Sequence, residues 1–229
     1  MLVPLKRETF HELIPAVATG AQYAYFWGNL NQFLKRLLFS VVGILICTLM
    51  ANFWIEEWKP FLFLLGLVVG LYWLWGPVAS AARRNYECRR YKYSGLWQGE
   101  VFDVFVSEEL VGTEETVNSK GDLVIVENRE RRLNLEIGDE NDFVTAIQVP
   151  LKRQHKGIRP GSRAEMLVMS NRADLSRIAK VSDVYLSDLD LWVSDYPYLR
   201  RDFFVEVSTE IDRSQRRGPS EPRPRRVRR

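Results

Sequence analysis

The sequence predicts a membrane-anchored α+β protein: an N-terminal two-helix transmembrane hairpin, a small all-β cytoplasmic domain of barrel or sandwich type, and a disordered basic tail. Three observations carry that expectation. Two long uncharged apolar runs lie within the first 82 residues, short Val/Ile/Phe-rich runs separated by turn residues fill the middle, and arginine crowds the end. The chain has 229 residues, 46% of them hydrophobic, with 7 Trp, 9 Tyr and 12 Phe, which is apolar enough to exclude wholesale disorder. Two Cys exclude a disulfide-built scaffold, and two His leave little for a His-based metal site.

Residues 1–34 read as an interfacial or amphipathic segment. Lys6, Arg7 and Glu8 are not followed by the apolar core of a cleavable signal peptide. Residues 13–34 are uncharged, but Gln22, Asn29, Asn31 and Gln32 make burial in lipid costly. Tyr23, Tyr25, Phe26 and Trp27 suit a helix at headgroup level. A helix packed on the soluble domain and a third span are the alternatives.

Residues 35–84 hold the hairpin. Nineteen uncharged residues, 37–55, and twenty-three more, 60–82, each reach the roughly 20 residues that a helix needs to cross the hydrocarbon core. Neither run shows a polar face at helical spacing. Only Glu56, Glu57, Trp58 and Lys59 separate them, which demands a tight turn. Lys35 and Arg36 precede the first run, and Arg83, Arg84, Arg89, Arg90 and Lys92 follow the second, so both ends are expected on the cytoplasmic side. Trp54 and Trp58 mark one interface, and Tyr72, Trp73 and Trp75 the other.

Residues 85–211 read as the β-domain, with strands near 96–106, 110–117, 122–127, 131–137, 143–150, 164–170 and 176–186. Turn signals stand at Asn118-Ser119-Lys120-Gly121 and Arg159-Pro160-Gly161. Short strands at such spacing suggest a small barrel or sandwich. Residues 196–211 fit a closing helix better than a last strand. From 212 onward the chain is Arg/Pro/Ser without periodicity, and residues 213–229 set eight Arg against one Glu, a local +7 in a chain of net +3. That composition predicts disorder.

Chemistry-bearing motifs are sparse. Gly66 and Gly70 form a G-x-x-x-G, a flat stripe that lets another helix approach, either a partner's span or the chain's own first span around Gly43. Arg129, Arg131 and Arg132, in the charged run 128–132, are candidate partner contacts or a solvated hairpin. Arg223, Arg225, Arg226, Arg228 and Arg229 could meet an anionic lipid surface or simply solubilise the tail. No aromatic residue interleaves with them, which argues against nucleic acid. No paired nucleophile and base, phosphate loop, dinucleotide fingerprint or metal-ligand spacing occurs, so no catalytic, cofactor or metal residues are assigned. Cys88 beside Arg89 and Arg90 is either an inert juxtamembrane thiol or one open to acylation or a lowered pKa.

Several strings, Gln22–Gly28, Gly70–Val78, Gly112–Asn118, Leu123–Gly138 and Val193–Asp202, resemble a family of cyanobacterial and chloroplast two-span membrane proteins of uncharacterised function. Some members carry the label of a phosphate ABC-transporter permease. The resemblance covers most of the chain up to about Val207 and leaves out the basic tail. It implies a photosynthetic organism, a thylakoid or plasma membrane, and no catalytic residues. Two uncharged spans cannot enclose a substrate path alone. The expected role is a non-enzymatic membrane-anchored adaptor, an assembly or stabilising factor for a photosynthetic or bioenergetic membrane complex. The alternatives are an accessory subunit of an ABC-type transporter and a lipid- or RNA-binding tethered module.

Overall fold

A computed structural model describes residues 1–28, 30–53, 56–117, 123–139 and 143–216. The strands are β1 (Leu2–Pro4), β2 (Tyr93–Val117), β3 (Leu123–Gly138), β4 (Val144–Pro150), β5 (Arg163–Ser170), β6 (Ile178–Leu186) and β7 (Leu191–Val193). The helices are α1 (Arg7–Leu13), α2 (Gly20–Trp27), α3 (Leu30–Phe53), α4 (Lys59–Gly70), α5 (Tyr72–Arg89) and α6 (Arg201–Arg216). All seven strands form one antiparallel sheet in the order β4-β3-β2-β5-β6-β7, with β1 also pairing on β2.

The period-2 alternation of side chains divides this sheet between two cores. Along β5, Met166 and Val168 join Trp97, Leu135, Ile137, Val184 and Leu186 on one face. Leu167 and Met169 point the other way, onto Phe10, Leu13 and Ile14 from the α1 segment and Phe204 from α6. Phe204, Val207 and Ser208 are buried and Ile211 half-buried, the spacing of one helical stripe, so 201–216 folds as a helix and not as a last strand. Asp212 is gripped by Arg163 and Gln98, so the helix continues through residues 212–216, which composition had assigned to the disordered tail.

The sheet is open, not a closed barrel. β4 and β7 end opposite sides of it, and β4 faces the β6–β7 region across a cavity of about 430 Å³. The three residues of β7 are too few for a closing ladder, and α5 side chains with the 194–198 loop occupy the gap. Gly161, with φ +84°, makes the expected turn before β5, and Ser162 N–H donates to the Arg159 carbonyl.

Residues 1–34 are not one separate interfacial segment. Leu2, Val3 and Pro4 pair with Trp97, Leu96 and Gly95, and α1 buries Phe10 and Leu13 in the second core. α2 packs along α5, started by a capping box between Thr19 and Gln22. Gln22 is fully buried and exchanges hydrogen bonds with the equally buried Asn85: Gln22 Nε2 donates to Asn85 Oδ1 (3.1 Å) and Asn85 Nδ2 donates to Gln22 Oε1 (2.8 Å). The same Gln22 Nε2 also donates to the Pro197 carbonyl at 2.8 Å. This amide pair fastens α2 and α5 to the loop before α6.

Among the described residues one helix, α3, is long and apolar enough to cross a membrane. The second apolar run is not one straight span: α4 stops at Gly70, and α5 leaves at a bend of 69°. Twelve residues of α4 give about 18 Å of rise, short of a ~30 Å hydrocarbon core. Side chains of α3 and α5 cover the backbone groups exposed by the bend. Ser40 Oγ accepts from Trp73 N–H (3.2 Å), and the Trp75 indole N–H donates to the Val68 carbonyl (2.8 Å). Hydroxyls and indoles repair broken helices in this way where water is scarce.

Candidate partner-binding surfaces

β2 is long enough to leave the sheet. Its first half lies between β1 and β5, and its second half, from Glu100 onward, pairs with β3 as far as Val117 and Leu123. Beyond about Val106 and Leu133 this two-stranded arm carries exposed residues on both faces. Four runs read from the sequence as separate strands are therefore two. Charges at 108–109 and 129–132 look like loop punctuation, yet a ribbon wetted on both sides keeps them in register. Glu108 stands opposite Arg131, and Arg132 bridges to Glu109 at 2.6 Å. Toward its end the arm becomes apolar, with Val111, Leu123, Ile125 and Val126 exposed, Ile125 by 68% and Leu123 by 75%. An isolated hairpin is marginal in water, and clustered exposed β-branched residues mark a contact surface.

The three candidate arginines lie on this arm. Arg129 pairs with Glu127 (2.8 Å) and Arg132 with Glu109, while Arg131 stands exposed opposite Glu108. The apolar end was not singled out from the sequence. Alternation in 122–127 was its visible signal.

Gly66 and Gly70 face α3. A Cβ on Gly70 would come within 2.7 Å of Ile44 Cδ1, one on Gly43 would strike Val69, and one on Gly66 would make an ordinary 3.4 Å contact with Cys47. The glycines thus set the approach of α4 to α3, and Gly66 also lines an apolar groove of about 360 Å³ between them. On their outer surfaces these helices invert the soluble pattern. α3 buries Ser40 and Cys47 and exposes Leu38, Phe39, Leu45, Ile46 and Leu49; α4 buries Leu62 and exposes Phe61, Phe63 and Leu64. The tail arginines Arg223, Arg225, Arg226, Arg228 and Arg229 lie outside the described residues, as do Trp54 and the 118–121 turn.

Three of the cations that flank the apolar helices are engaged within the fold. Arg36 donates to the Phe26 and Trp27 carbonyls, Arg89 to those of His11 (2.9 Å) and Ile14 (2.6 Å), and Arg84 stacks over Phe26 and Tyr196. Cys88 is fully buried, and that burial pushes its thiol above the usual range, leaving it an inert packing residue. His155 Nδ1 accepts from Lys152 N–H and caps a short turn. Beneath α6, burial raises the Glu165 carboxyl, while Ser208 and Arg163 hold it in place.

These features define an α+β protein with an open antiparallel sheet, helix-covered on one face, that carries a projecting β-arm and a pair of helices with exposed apolar surfaces. The chain belongs to a family of unknown function (DUF8619), whose profile matches residues 3–216. No curated protein and no solved structure matches it.

Proposed function

We propose that the protein is a non-enzymatic, membrane-anchored adaptor in which α3 and α4 sit in the bilayer and the β2–β3 arm engages a membrane-complex client. The arm carries this reading: a two-stranded ribbon with apolar side chains on both faces gains by being covered. The exposed leucines and phenylalanines of α3 and α4 supply the anchor. Tethering raises the local concentration of the arm near a client, so a modest contact suffices. The likeness to two-span proteins of photosynthetic organisms makes assembly or stabilisation of a bioenergetic complex the favoured role, with the sheet domain on the cytoplasmic side.

The test is a mild-detergent pull-down of the tagged full chain beside an Ile125→Asp/Val126→Asp variant, with stoichiometry quantified by mass spectrometry. The proposal expects substoichiometric subunits of one complex, enriched in immature forms, and their loss in the variant. Capture that the arm variant leaves intact would sink it. A fixed ratio to a permease and an ATPase would make the chain a transporter subunit instead.

A further inference from the structure

The gap that keeps the sheet from closing is a chemically specific cavity. β4 residues 146–149 wall one side, β6 and the 194–198 loop the other, and α5 places Arg84 and Glu87 at its margin. Asp183 and Tyr196 line it, with only 1% and 2% of their surface exposed. Asp183 Oδ1 accepts the Tyr198 N–H at 2.8 Å, but Asp183 Oδ2 and the Tyr196 hydroxyl are buried without a hydrogen-bond partner. Among the described residues Asp183 makes no ion pair. Such a carboxylate costs several kcal/mol to keep dry and unpaired.

The nearby cations make their contacts elsewhere, although the charge of Arg201 also acts on Asp183. Arg84 lies over the rings of Tyr25, Phe26 and Tyr196, Lys180 reaches Cys88 and Tyr198, and Arg201 stacks on Trp192. β4 contributes Ala146, Ile147, Gln148 and Val149, none of which titrates. Glu87 and Asp195 add two further carboxylates to the lining, so acidic groups outnumber the one lining guanidinium.

We propose that this cavity binds a small organic cation bearing N–H donors, an amine or a guanidine, with Asp183 as its counter-ion and Tyr196 as its second contact. A volume of about 430 Å³ lies within the usual small-molecule range. An N–H donor satisfies the orphaned carboxylate oxygen and turns its desolvation from a penalty into a charge-assisted bond. Burial raises the Asp183 carboxyl to about 7, so a bound cation draws off its proton and binding tightens from pH 6 to pH 8. The claim is independent of the arm and of the membrane reading.

The experiment uses the full chain in detergent, with methylguanidinium chloride as the probe and tetramethylammonium chloride, which has no N–H, as the control at equal ionic strength. A saturable rise in Tm with methylguanidinium alone is expected, at least tenfold weaker in affinity for Asp183→Asn and several-fold weaker for Tyr196→Phe. Near-UV circular dichroism checks that each variant is folded. If Asp183→Asn does not fold, Tyr196→Phe and the donor-free control still decide the matter. Equal shifts with both salts, no saturable shift, or unchanged affinity in the folded variants would mean that water alone fills the cavity.

Discussion

Gln22 and Asn85 show how a polar residue inside an apolar stretch can be a structural node. Gln22 reads from the sequence as a barrier to membrane insertion, and only the fold supplies Asn85, 63 positions away, as its partner. Asn85→Leu is expected to strand the Gln22 amide and cost about 1–3 kcal/mol, read as a lower urea midpoint by tryptophan fluorescence. Asp183 bears on pH. Its folded-state pKa of about 7 stands above the value near 4 of an unfolded aspartate, so the native state holds a proton that the unfolded state has lost between those values. Its contribution is full below pH 4, declines as pH rises to about 7, and is then gone, a swing of up to roughly 4 kcal/mol. Asp183→Asn should flatten the stability profile between pH 4 and 7, as measured by denaturant melts across that range.

α3 and α4 depend on close approach, and the glycines in their contact are not equivalent. Gly43 meets the stiff, β-branched Val69, whereas Gly66 has room for a methyl group. Gly43→Ala should lower the melting temperature in detergent by several degrees, while Gly66→Ala should leave it unchanged. The arm predicts the opposite kind of independence. Joining Glu109 to Glu130, which already stand opposite one another, through a two-residue Asn-Gly turn removes residues 110–129. The shortened protein should keep its near-UV spectrum and melting temperature, since the described residues among those removed are exposed on both faces. β4, β5 and β6 were legible because Val/Ile alternation and the Arg159-Pro160-Gly161 turn bound them. β1 and β7 were not, because three residues carry no period. The break at Leu71 was hidden for another reason: apolarity continues through Gly70–Trp75, and the hydrogen bond from Trp73 that closes the bend is to Ser40, on a different helix.

In the whole molecule, the apolar helices and the sheet are joined by α5, which begins at the bend and ends four residues before β2. The sequence separates these parts by composition, but Arg36, Arg84 and Arg89, which read as topology signals, also pin α2, α1 and the pre-α6 loop together. That engagement within the fold explains why cation placement gave an expectation of sidedness without revealing the fold. The cavity at Asp183 was illegible for a similar reason, since α5, β4, β6 and the 194–198 loop each supply a part. Sidedness itself is open to a direct test. Glu57→Cys, in the turn before α4, should react with a membrane-impermeant maleimide only from the side opposite the sheet domain. Labelling from the domain side would show that neither α3 nor α4 crosses the bilayer.

β2 is a single rod of 25 residues, about 80 Å of contour at 3.3 Å per residue, and it is shared by the sheet and the arm. Its inner half is clamped between β1 and β5, while its outer half is held by β3 alone, with register shifts at Val101/Asp103 and Leu110/Gly112 where the ribbon can bend. The strand is therefore a measuring stick: its contour sets how far from the sheet a contact at its far end can lie. A client with the right surface at the wrong radius would pass unnoticed, which makes discrimination a matter of stature as well as of chemistry.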